Sequence, residues 1–317
     1  MTVSPIHFEL ADDVTELKDY GLFGPDSVTW KVWSHPAAFI GLTRSFYIEV
    51  MGSVDASAAL SDRGTYRTDP VGRLSRTMTY FLNVVFGDME TISKANARLY
   101  RLHSHIKGNT PITGGTYNAH DPLLMLGTHL ITWHSVYYAY EKLVGKLTTD
   151  EERRYFEESV RFAKSLQEHT PNLTLEAVKL SAQQHGYDIS SLEDLHDIPS
   201  TRKDFARVMA LTASGAAITS QTRSILLTLL KPSIKTDDPQ MNVLLRFYPI
   251  LTFVVTTLIP KEMCELAGLP RSRWRDELAI MIGKAIAKTA TIPHARKFFE
   301  SKIGTSGYEL MHRALQY

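Results

Sequence analysis

Residues 121–145, DPLLMLGTHLITWHSVYYAYEKLVG, indicate the fold class more clearly than any other stretch of the chain. Asp121 is a good helix N-cap, and Pro122 suits the first helical position, where its missing N–H has no helical partner to lose. Gly145 marks the end of the segment. The pattern predicts a long helix that begins after Asp121 and ends near Val144. Between these limits, large apolar side chains recur at the spacing of one helix face: Leu126, Leu130, Trp133, Tyr137 and Tyr140.

The same helical periodicity extends through most of the chain, whereas strand patterns are scarce. A capping box is predicted at Thr149 and Glu152, where the helix after Gly145 begins. Residues 171–199 are polar and mixed, which predicts short helical pieces at best. Further helices are predicted over residues 88–107, 148–166, 202–230, 241–258 and 272–289.

The fold class that follows from this pattern is all-α. We expect a helical bundle of about ten or more helices, globin-like in its packing style. No repeat, low-complexity tract or flexible linker divides the chain, so residues 1–317 are expected to form a single domain. The N-terminal residues 1–25 are predicted to be extended.

The composition excludes several classes of function. The chain has 35 Lys and Arg against 34 Asp and Glu, and its net charge of +1 gives no footprint for nucleic acid or an anionic membrane. The single cysteine, Cys264, excludes an internal disulfide and a cysteine-ligated metal or iron–sulfur site. A Walker-type phosphate loop and a Gly-x-Ser-x-Gly nucleophile elbow are missing as well.

The hydropathy pattern predicts a soluble, cytoplasmic protein. The N-terminus has neither the basic nor the apolar region of a signal peptide. The longest apolar run, residues 247–259, has about 13 residues, fewer than the ~20 that cross a bilayer. Pro249 interrupts this run, which we interpret as a core helix. We therefore expect no transmembrane segment.

Histidines are concentrated in one part of the sequence. Five of the twelve fall within a tenth of the chain, and a cluster of imidazoles on helices suggests a metal or haem site. The alternative is that several of them are capping or surface residues. The five are His103, His105, His120, His129 and His134.

A second group of polar side chains lies upstream of the histidines. Arg73, Arg76 and Thr77 would share one helix face, one turn apart. If that face is buried, two guanidiniums require an anionic or polar partner, because unpaired buried charge is costly. Haem propionates or iron-bound oxygen would serve as such a partner. The alternative is a pair of surface arginines.

Four sequence pieces, in order, resemble the rubber oxygenase catalytic-domain family, which includes the MpaB-type oxygenases. Together the four are fairly specific, and the resemblance is clearest over residues 23–165. The C-terminal half is similar in helical pattern and proline placement. The pieces are Trp30-Lys-Val-Trp-Ser-His35-Pro36-Ala37, Asp69-Pro70-Val-Gly-Arg73-Leu-Ser-Arg76-Thr77, Leu102-His103-Ser-His-Ile106-Lys-Gly108, and Tyr117-Asn-Ala119-His-Asp121-Pro122 followed by His129.

The resemblance implies a helical fold that holds one haem b through an axial histidine. That role is carried over to His103, which shares a helix face with Leu99 and Ile106, whereas His105 would point elsewhere. His129 is the second candidate, either as the ligand or as a group that orients it; a hydrogen-bonded core histidine is the alternative. The resemblance also places Arg73 and Thr77 near the haem.

Position 76 departs from the pattern of the rubber oxygenases, which have a lysine that can reach the iron. The chain has Arg76 there, and a guanidinium offers no lone pair to a metal. We therefore expect Arg76 to donate hydrogen bonds to bound oxygen or to a propionate. Rubber cleavage itself is placed in doubt by this change.

The expected activity is that of a haem-b-dependent oxygenase, with Arg73, Arg76 and Thr77 as its catalytic side chains. It would act with O2 on an apolar, isoprenoid- or lipid-like substrate, by C=C cleavage or monooxygenation, and a redox partner remains open. Aromatic residues that could line the pocket, or belong to the core, are Phe81, Trp133, Tyr137 and Tyr138.

Two alternatives from other classes remain. One is a non-catalytic helical protein that binds haem or a lipid, or acts as an interaction scaffold. The other is a di-iron carboxylate oxygenase, which needs Glu-x-x-His twice. The chain has that motif once, at Glu193-Asp-Leu-His196, where a solvated helix end is the simpler interpretation.

Overall fold

The computed structural model describes residues 17–63, 67–110, 114–232, 237–302 and 305–316. Within these residues the chain forms fifteen α-helices, one two-stranded sheet and a short 3-10 helix, so the predicted all-α bundle is confirmed. The elements are α1 (Val28–Trp33), α2 (Ala37–Gly52), α3 (Val54–Arg63), α4 (Pro70–Phe86), α5 (Met89–Ser104), β1 (Lys107–Asn109), β2 (Thr116–Asn118), α6 (Pro122–Leu143), α7 (Thr149–Gln167), α8 (Leu175–Gln184), the 3-10 helix Ser190–Leu192, α9 (Arg202–Ser214), α10 (Ser220–Leu230), α11 (Pro239–Leu258), α12 (Lys261–Leu266), α13 (Arg273–Thr289), α14 (Pro293–Glu300) and α15 (Thr305–Ala314).

Helices α2 and α6 form the central pair of the bundle, and both are buried over most of their length. They approach closely at Gly41, where an added Cβ atom would lie 2.5 Å from the Cα of Val136. Trp133 of α6 belongs to the larger hydrophobic cluster, with α1, α4, α7, α8 and α9. Ile131 belongs to the second cluster, with α2, α10, α11 and α13. Because α6 lies between two clusters, it is apolar nearly all the way round.

The start of α6 is as predicted. The Asp121 carboxylate accepts a hydrogen bond from the Leu123 N–H at 2.8 Å, and Pro122 occupies the first helical position. The Ser181 hydroxyl of α8 donates to the same carboxylate oxygen at 2.6 Å. The cap therefore also joins α6 to α8.

The capping box of α7 lies at Thr148 and Glu151, one residue before the predicted pair Thr149 and Glu152. The Glu151 N–H donates to the Thr148 hydroxyl at 3.2 Å, and the Thr148 N–H donates to the Glu151 carboxylate at 2.9 Å. Glu152 instead accepts a hydrogen bond from the Tyr137 hydroxyl of α6. A contact between helices therefore decides which of two adjacent acidic residues caps the helix.

A β-hairpin replaces the predicted end of α5. The helix ends at Ser104, not near Lys107, and Lys107–Asn109 pairs antiparallel with Thr116–Asn118 in the register Gly108↔Tyr117. A Cβ atom at Gly108 would lie 2.6 Å from the Tyr117 hydroxyl oxygen, so a larger residue there would displace the Tyr117 side chain. Three-residue strands are too short to produce a strand pattern in the sequence. Residues 111–113 of the predicted loop lie outside the described residues.

One other prediction, a single helix over residues 202–230, was wrong. The helix predicted over 202–230 is divided into α9 and α10, because Gly215 ends the first and the Thr219 hydroxyl accepts from the Thr222 N–H at 3.0 Å to begin the second. Between them, the Ala217 N–H donates to the Met51 carbonyl at 2.9 Å. Residues 171–199 contain the ten-residue helix α8 and the 3-10 helix Ser190–Leu192, in agreement with the short helical pieces predicted there.

Helix α11 differs from the core helix that the sequence predicts. It begins at Pro239 and has 20 residues, and by length and composition it could cross a membrane. Only 28% of its most apolar window is buried. Of the N-terminal residues 1–25, those from 17 onward form turns and bends before α1, and residues 1–16 lie outside the described residues.

Candidate functional site

The N-terminal end of α4 brings the arginine pair to the edge of the site. Asp69 caps the helix by accepting from the Gly72 N–H at 2.9 Å. The Arg76 guanidinium donates to the other oxygen of the same carboxylate at 3.0 Å and is about one third exposed. Arg76 therefore lies at the rim, with its position set by the cap residue of its own helix.

Arg73 lies further inside. Its guanidinium carbon is 5.2 Å from the ring centre of Phe46 on α2, a distance at which a cation is attracted by the ring face. Burial lowers the pKa of Arg73 to about 10, and the nearby Glu49 opposes that change. A guanidinium with this pKa is still charged at neutral pH, so the site contains a half-buried permanent cation.

Thr77 completes the α4 face. Its hydroxyl donates to the Arg73 carbonyl one turn back at 3.1 Å, so its hydrogen is already used within the helix. Its oxygen lone pairs can still accept a hydrogen bond. The structure therefore brings Arg73 and Thr77 together on one face, as the spacing predicts.

Glu49 of α2 lies near enough to Arg73 for the two charges to affect each other's pKa, and the sequence analysis missed it. The Thr132 hydroxyl of α6 donates to its carboxylate at 3.3 Å. Burial raises the pKa of Glu49 to about 8, against the opposing effects of hydrogen bonds from Thr132 and Ser45 and of the Arg73 charge. At neutral pH this carboxyl group holds a proton that it can release near physiological conditions.

A signal for Glu49 was present in the sequence. Residues 37–52, AAFIGLTRSFYIEVMG, are almost wholly apolar, and Glu49 is their only acidic residue. An acidic side chain on a helix that is buried nearly all round must either have a partner or stay protonated. The identity of that partner could not be inferred, because Arg73 lies on another helix.

His103 occupies the last turn of α5 and reaches α6. Its Nδ1 lies 3.1 Å from the Met125 sulfur, which is a weak acceptor, so we assign the proton to Nδ1. Burial lowers the pKa of His103 to about 4, with smaller contributions from His120 and Arg73. The ring is neutral, and we find no hydrogen bond to Nε2 among the described residues. A neutral imidazole with one nitrogen held and the other bearing a lone pair is the form that binds iron.

His129 lies in a different environment. Its Nε2 is 3.2 Å from the Ser159 carbonyl, and its ring packs edge-on against Phe162, 4.5 Å between ring centres, and near Trp133. Its Nδ1 is buried with no hydrogen-bond partner in the described part of the chain, and burial lowers its pKa to about 3. The aromatic enclosure fits the core-histidine interpretation, and iron binding by His129 stays a prediction.

The other three clustered histidines do not converge with His103 into one centre. His105 is the exposed C-cap of α5. His120 stacks on Tyr100 at 4.3 Å between ring centres and is 6.3 Å from His103. His134 stacks on Tyr138, close enough to Arg44 for that charge to affect its pKa, which burial lowers to about 3.

An apolar pocket adjoins Glu49. It has a volume of about 40 Å3 and lies between α2, α3, α6, α8 and α9. Its apolar walls include Leu124, Ile131, Val178 and Leu211, and Glu49 is its one acidic residue. An apolar group that enters this pocket would therefore lie near a carboxyl group.

The aromatic residues that could line a pocket have other positions. Phe81, Trp133 and Tyr137 are buried in the larger hydrophobic cluster and do not line the pocket beside Glu49. Tyr138 lies beneath Arg44, whose guanidinium carbon is 4.6 Å from the centre of the Tyr138 ring. Their positions match the core interpretation.

The di-iron alternative finds no ligand set in the part of the chain that the structure describes. Glu193 and His196 are both exposed, in the turns that follow the 3-10 helix. The described residues contain no group of three or more His, Cys, Asp or Glu side chains placed to hold a metal ion. A haem site with a single protein ligand does not require such a group.

Comparison with known proteins gave one match. A family model described as "ER-bound oxygenase mpaB/B'/Rubber oxygenase, catalytic domain" matches residues 30–291, which include α2, α4, α5 and α6 and thus every side chain of the site. No curated protein and no solved structure matched the chain.

Proposed function

The chain belongs to the mpaB and rubber oxygenase catalytic-domain family, a family of oxygenases, and from this premise we propose that it is haem-b-dependent and acts with O2 on an apolar, isoprenoid- or lipid-like substrate. The observation that carries the haem proposal is His103, a neutral imidazole whose Nδ1 is held by the Met125 sulfur. In this proposal Nε2 of His103 would hold the haem iron. When bound, the haem supplies the activation of O2.

Met125 has a defined role in this proposal. A ligand histidine works best when its second nitrogen is held, because that hydrogen bond selects the tautomer and the ring orientation. A thioether accepts weakly, so it leaves the imidazole less electron-rich than a carboxylate would. Met125 therefore orients His103 without making it strongly basic.

Arg73 on α4 and Glu49 on α2 would control charge and protons at the haem site. Arg73 remains cationic, so it can hold a propionate or stabilise negative charge that develops on oxygen. Glu49, with a pKa of about 8, holds a proton at neutral pH and can give or take one at its carboxyl oxygens. The two groups are close enough for the charge of each to affect the pKa of the other.

Arg76 and Thr77 have narrower roles. Arg76 has no lone pair for a metal, and its bond to Asp69 holds it at the rim, where it suits a propionate. Thr77 can accept a hydrogen bond but not donate its own hydrogen, which is given to the Arg73 carbonyl. Arg76 would therefore hold a haem propionate, and Thr77 would accept a hydrogen bond from a donor beside it.

The apolar pocket supports the substrate class. Its lining is mainly apolar and Glu49 is its one acidic lining residue, so it suits an apolar group of a substrate with few polar groups. Both C=C cleavage and monooxygenation are compatible with such a substrate. A redox partner would be required for monooxygenation, because that reaction consumes electrons in addition to O2.

The proposal is tested by the visible spectrum of the purified protein, oxidised and reduced, with a pyridine haemochrome assay after reconstitution with haem. We expect His103→Ala to lose the Soret band and His105→Ala, the matched control on the same helix, to keep it. Added imidazole should restore the band in His103→Ala, because it replaces the missing ligand. Full haem retention in His103→Ala together with its loss in His129→Ala would assign the ligand to His129.

Activity separates an oxygenase from a haem or lipid carrier. In the proposal, Glu49→Gln keeps haem and loses turnover of an apolar alkene substrate, since the amide cannot exchange a proton. A protein that binds haem through His103 but oxidises no substrate under any electron supply would be a carrier.

A further inference from the structure

Helix α11 exposes an apolar stripe in its first half. Val243, Phe247 and Ile250 are spaced by four and three positions, so they lie on one face, and they are 48%, 59% and 39% exposed. Large apolar side chains are seldom exposed in a continuous stripe on a soluble protein unless something covers them.

Helix α13 exposes a second stripe with the same spacing. Trp274, Leu278 and Met281 are 63%, 36% and 61% exposed. The two helices pack on each other: a Cβ atom at Gly283 of α13 would lie 2.8 Å from a methyl group of Val254 on α11. Val254 follows Ile250 by four residues and so continues the α11 stripe, whereas Gly283 lies on the side of α13 opposite its own stripe. Helix α13 is therefore the outer of the two helices, and both stripes point to the same side of the bundle, which we call the α11–α13 face.

Positive charge is concentrated in the same region. Residues 220–300, from the start of α10 to the end of α14, carry 12 Lys and Arg against 7 Asp and Glu. The other 236 residues carry 23 Lys and Arg against 27 Asp and Glu. The net charge of +1 for the whole chain therefore conceals an excess of five positive charges in this region and an excess of four negative charges elsewhere.

Several of these cations adjoin the stripes. Arg246 precedes Phe247, Arg273 precedes Trp274, and Lys284 follows Met281 by one turn; all three are exposed. Glu277 is also exposed and pairs with Arg273 at 2.9 Å. Exposed Trp and Phe beside Lys and Arg are typical of side chains at a membrane–water interface, where the stem or ring is apolar and the end is polar.

From the apolar stripes and the charge around them we infer that the α11–α13 face docks onto the surface of an anionic lipid bilayer. The apolar stripes would enter the headgroup region, and the cations would contact lipid phosphate or serine headgroups. This inference does not depend on the proposed function, although a bilayer is also where an apolar substrate would be found.

Helix α11 would lie on the bilayer rather than cross it. Val254, Val255 and Leu258 in its second half are buried in the second hydrophobic cluster, against α2 and α12. Spanning would remove them from that cluster and separate α11 from α2. Docking by the exposed first half leaves these contacts intact.

A second copy of the chain suits this face less well. A symmetric dimer would place the same patch on both partners and bring the two cationic regions together. An anionic surface has the opposite charge and neutralises them instead.

Vesicle co-sedimentation of the full chain tests the inference, with vesicles of phosphatidylcholine alone or with about 30% phosphatidylserine. We expect binding to the anionic vesicles, weaker binding at high salt, and a blue shift of tryptophan emission. Trp274 would report that shift, because the other three tryptophans, Trp30, Trp33 and Trp133, are already buried.

Variants identify the face. Phe247→Ser with Trp274→Ser should weaken binding to anionic vesicles by about tenfold or more, because both side chains are expected to enter the headgroup region. Leu180→Ser is the matched control, since Leu180 is 56% exposed on α8, away from this face. Arg246→Gln with Lys284→Gln should lower the preference for anionic over neutral vesicles.

Three results would overturn the inference. The first is failure of the wild-type chain to bind anionic vesicles. The second is equal loss of binding in Leu180→Ser and in the double variant. The third is a dimer in light scattering that the double variant abolishes without any vesicle binding, which would assign the face to a second copy.

Discussion

Replacing Glu49 by glutamine should remove a pH-dependent cost to stability. Its pKa is raised from 4.5 to about 8 in the folded chain, mainly by burial. As the pH rises through this interval, the unfolded chain releases the proton first, so the wild-type protein loses stability between pH 4.5 and about 8. The glutamine variant has no proton to lose and keeps the hydrogen bond from Thr132 through its amide oxygen.

The magnitude follows from the same pKa. Raising a pKa from 4.5 to about 8 corresponds to about 5 kcal/mol, at about 1.36 kcal/mol per pH unit. The Glu49 side chain is only half-buried. Screening by solvent therefore reduces the expected difference in the free energy of unfolding to about 2 kcal/mol. Even the reduced value is a large part of the stability of an ordinary domain.

Urea unfolding of both proteins at about pH 4, below the unfolded pKa, and at about pH 8.5 measures this difference. The free energy of unfolding of Glu49→Gln, minus that of wild type, should be about 2 kcal/mol larger at the higher pH. The buried histidines His103, His129 and His134 have lowered pKa values and act in the opposite direction, but they are present in both proteins and cancel. An equal difference at both pH values would refute the raised pKa.

Three further changes test other parts of the structure. Met125→Leu keeps the apolar volume but removes the acceptor for His103, so haem affinity should fall by about tenfold in a titration followed at the Soret band; unchanged affinity would exclude the orienting role. Thr148→Ala should lower the free energy of unfolding in urea by about 1 kcal/mol, and Thr149→Ala by less than about 0.5 kcal/mol. The reverse order would mean that Thr149 caps α7, as the sequence predicts. Gly41→Ala should lower stability by about 2 kcal/mol or more, because its Cβ would lie 2.5 Å from the backbone of α6; a stable variant would mean that the two helices can separate at little cost.

Features that depend on neighbours within one helical turn were predictable. Asp121 and Pro122 begin α6 as expected, because an N-cap bond joins residues two or three positions apart. Arg73 and Thr77 share a face of α4 for the same reason, since the helix repeats every 3.6 residues. The family resemblance was likewise visible from motifs in the chain.

Features that depend on contacts between helices were not predictable. Glu152 satisfies every local requirement of a capping box, yet it bonds to Tyr137 on α6. Five histidines in one stretch suggested one site, but His129 lies among the rings of Phe162 and Trp133, whereas His103 faces Met125. Proximity in sequence does not fix the direction in which a side chain points.

The sequence by itself determined the helical class, the family and the helix that carries the candidate ligand, because periodicity, caps and motifs are properties of neighbouring residues. Only the tertiary structure decided that Glu49 lies near enough to Arg73 for their charges to interact, and that α11 and α13 leave apolar faces uncovered within a cationic region. Burial, pKa and surface charge arise from residues distant in the chain that packing brings together. They exist only once the helices have assembled.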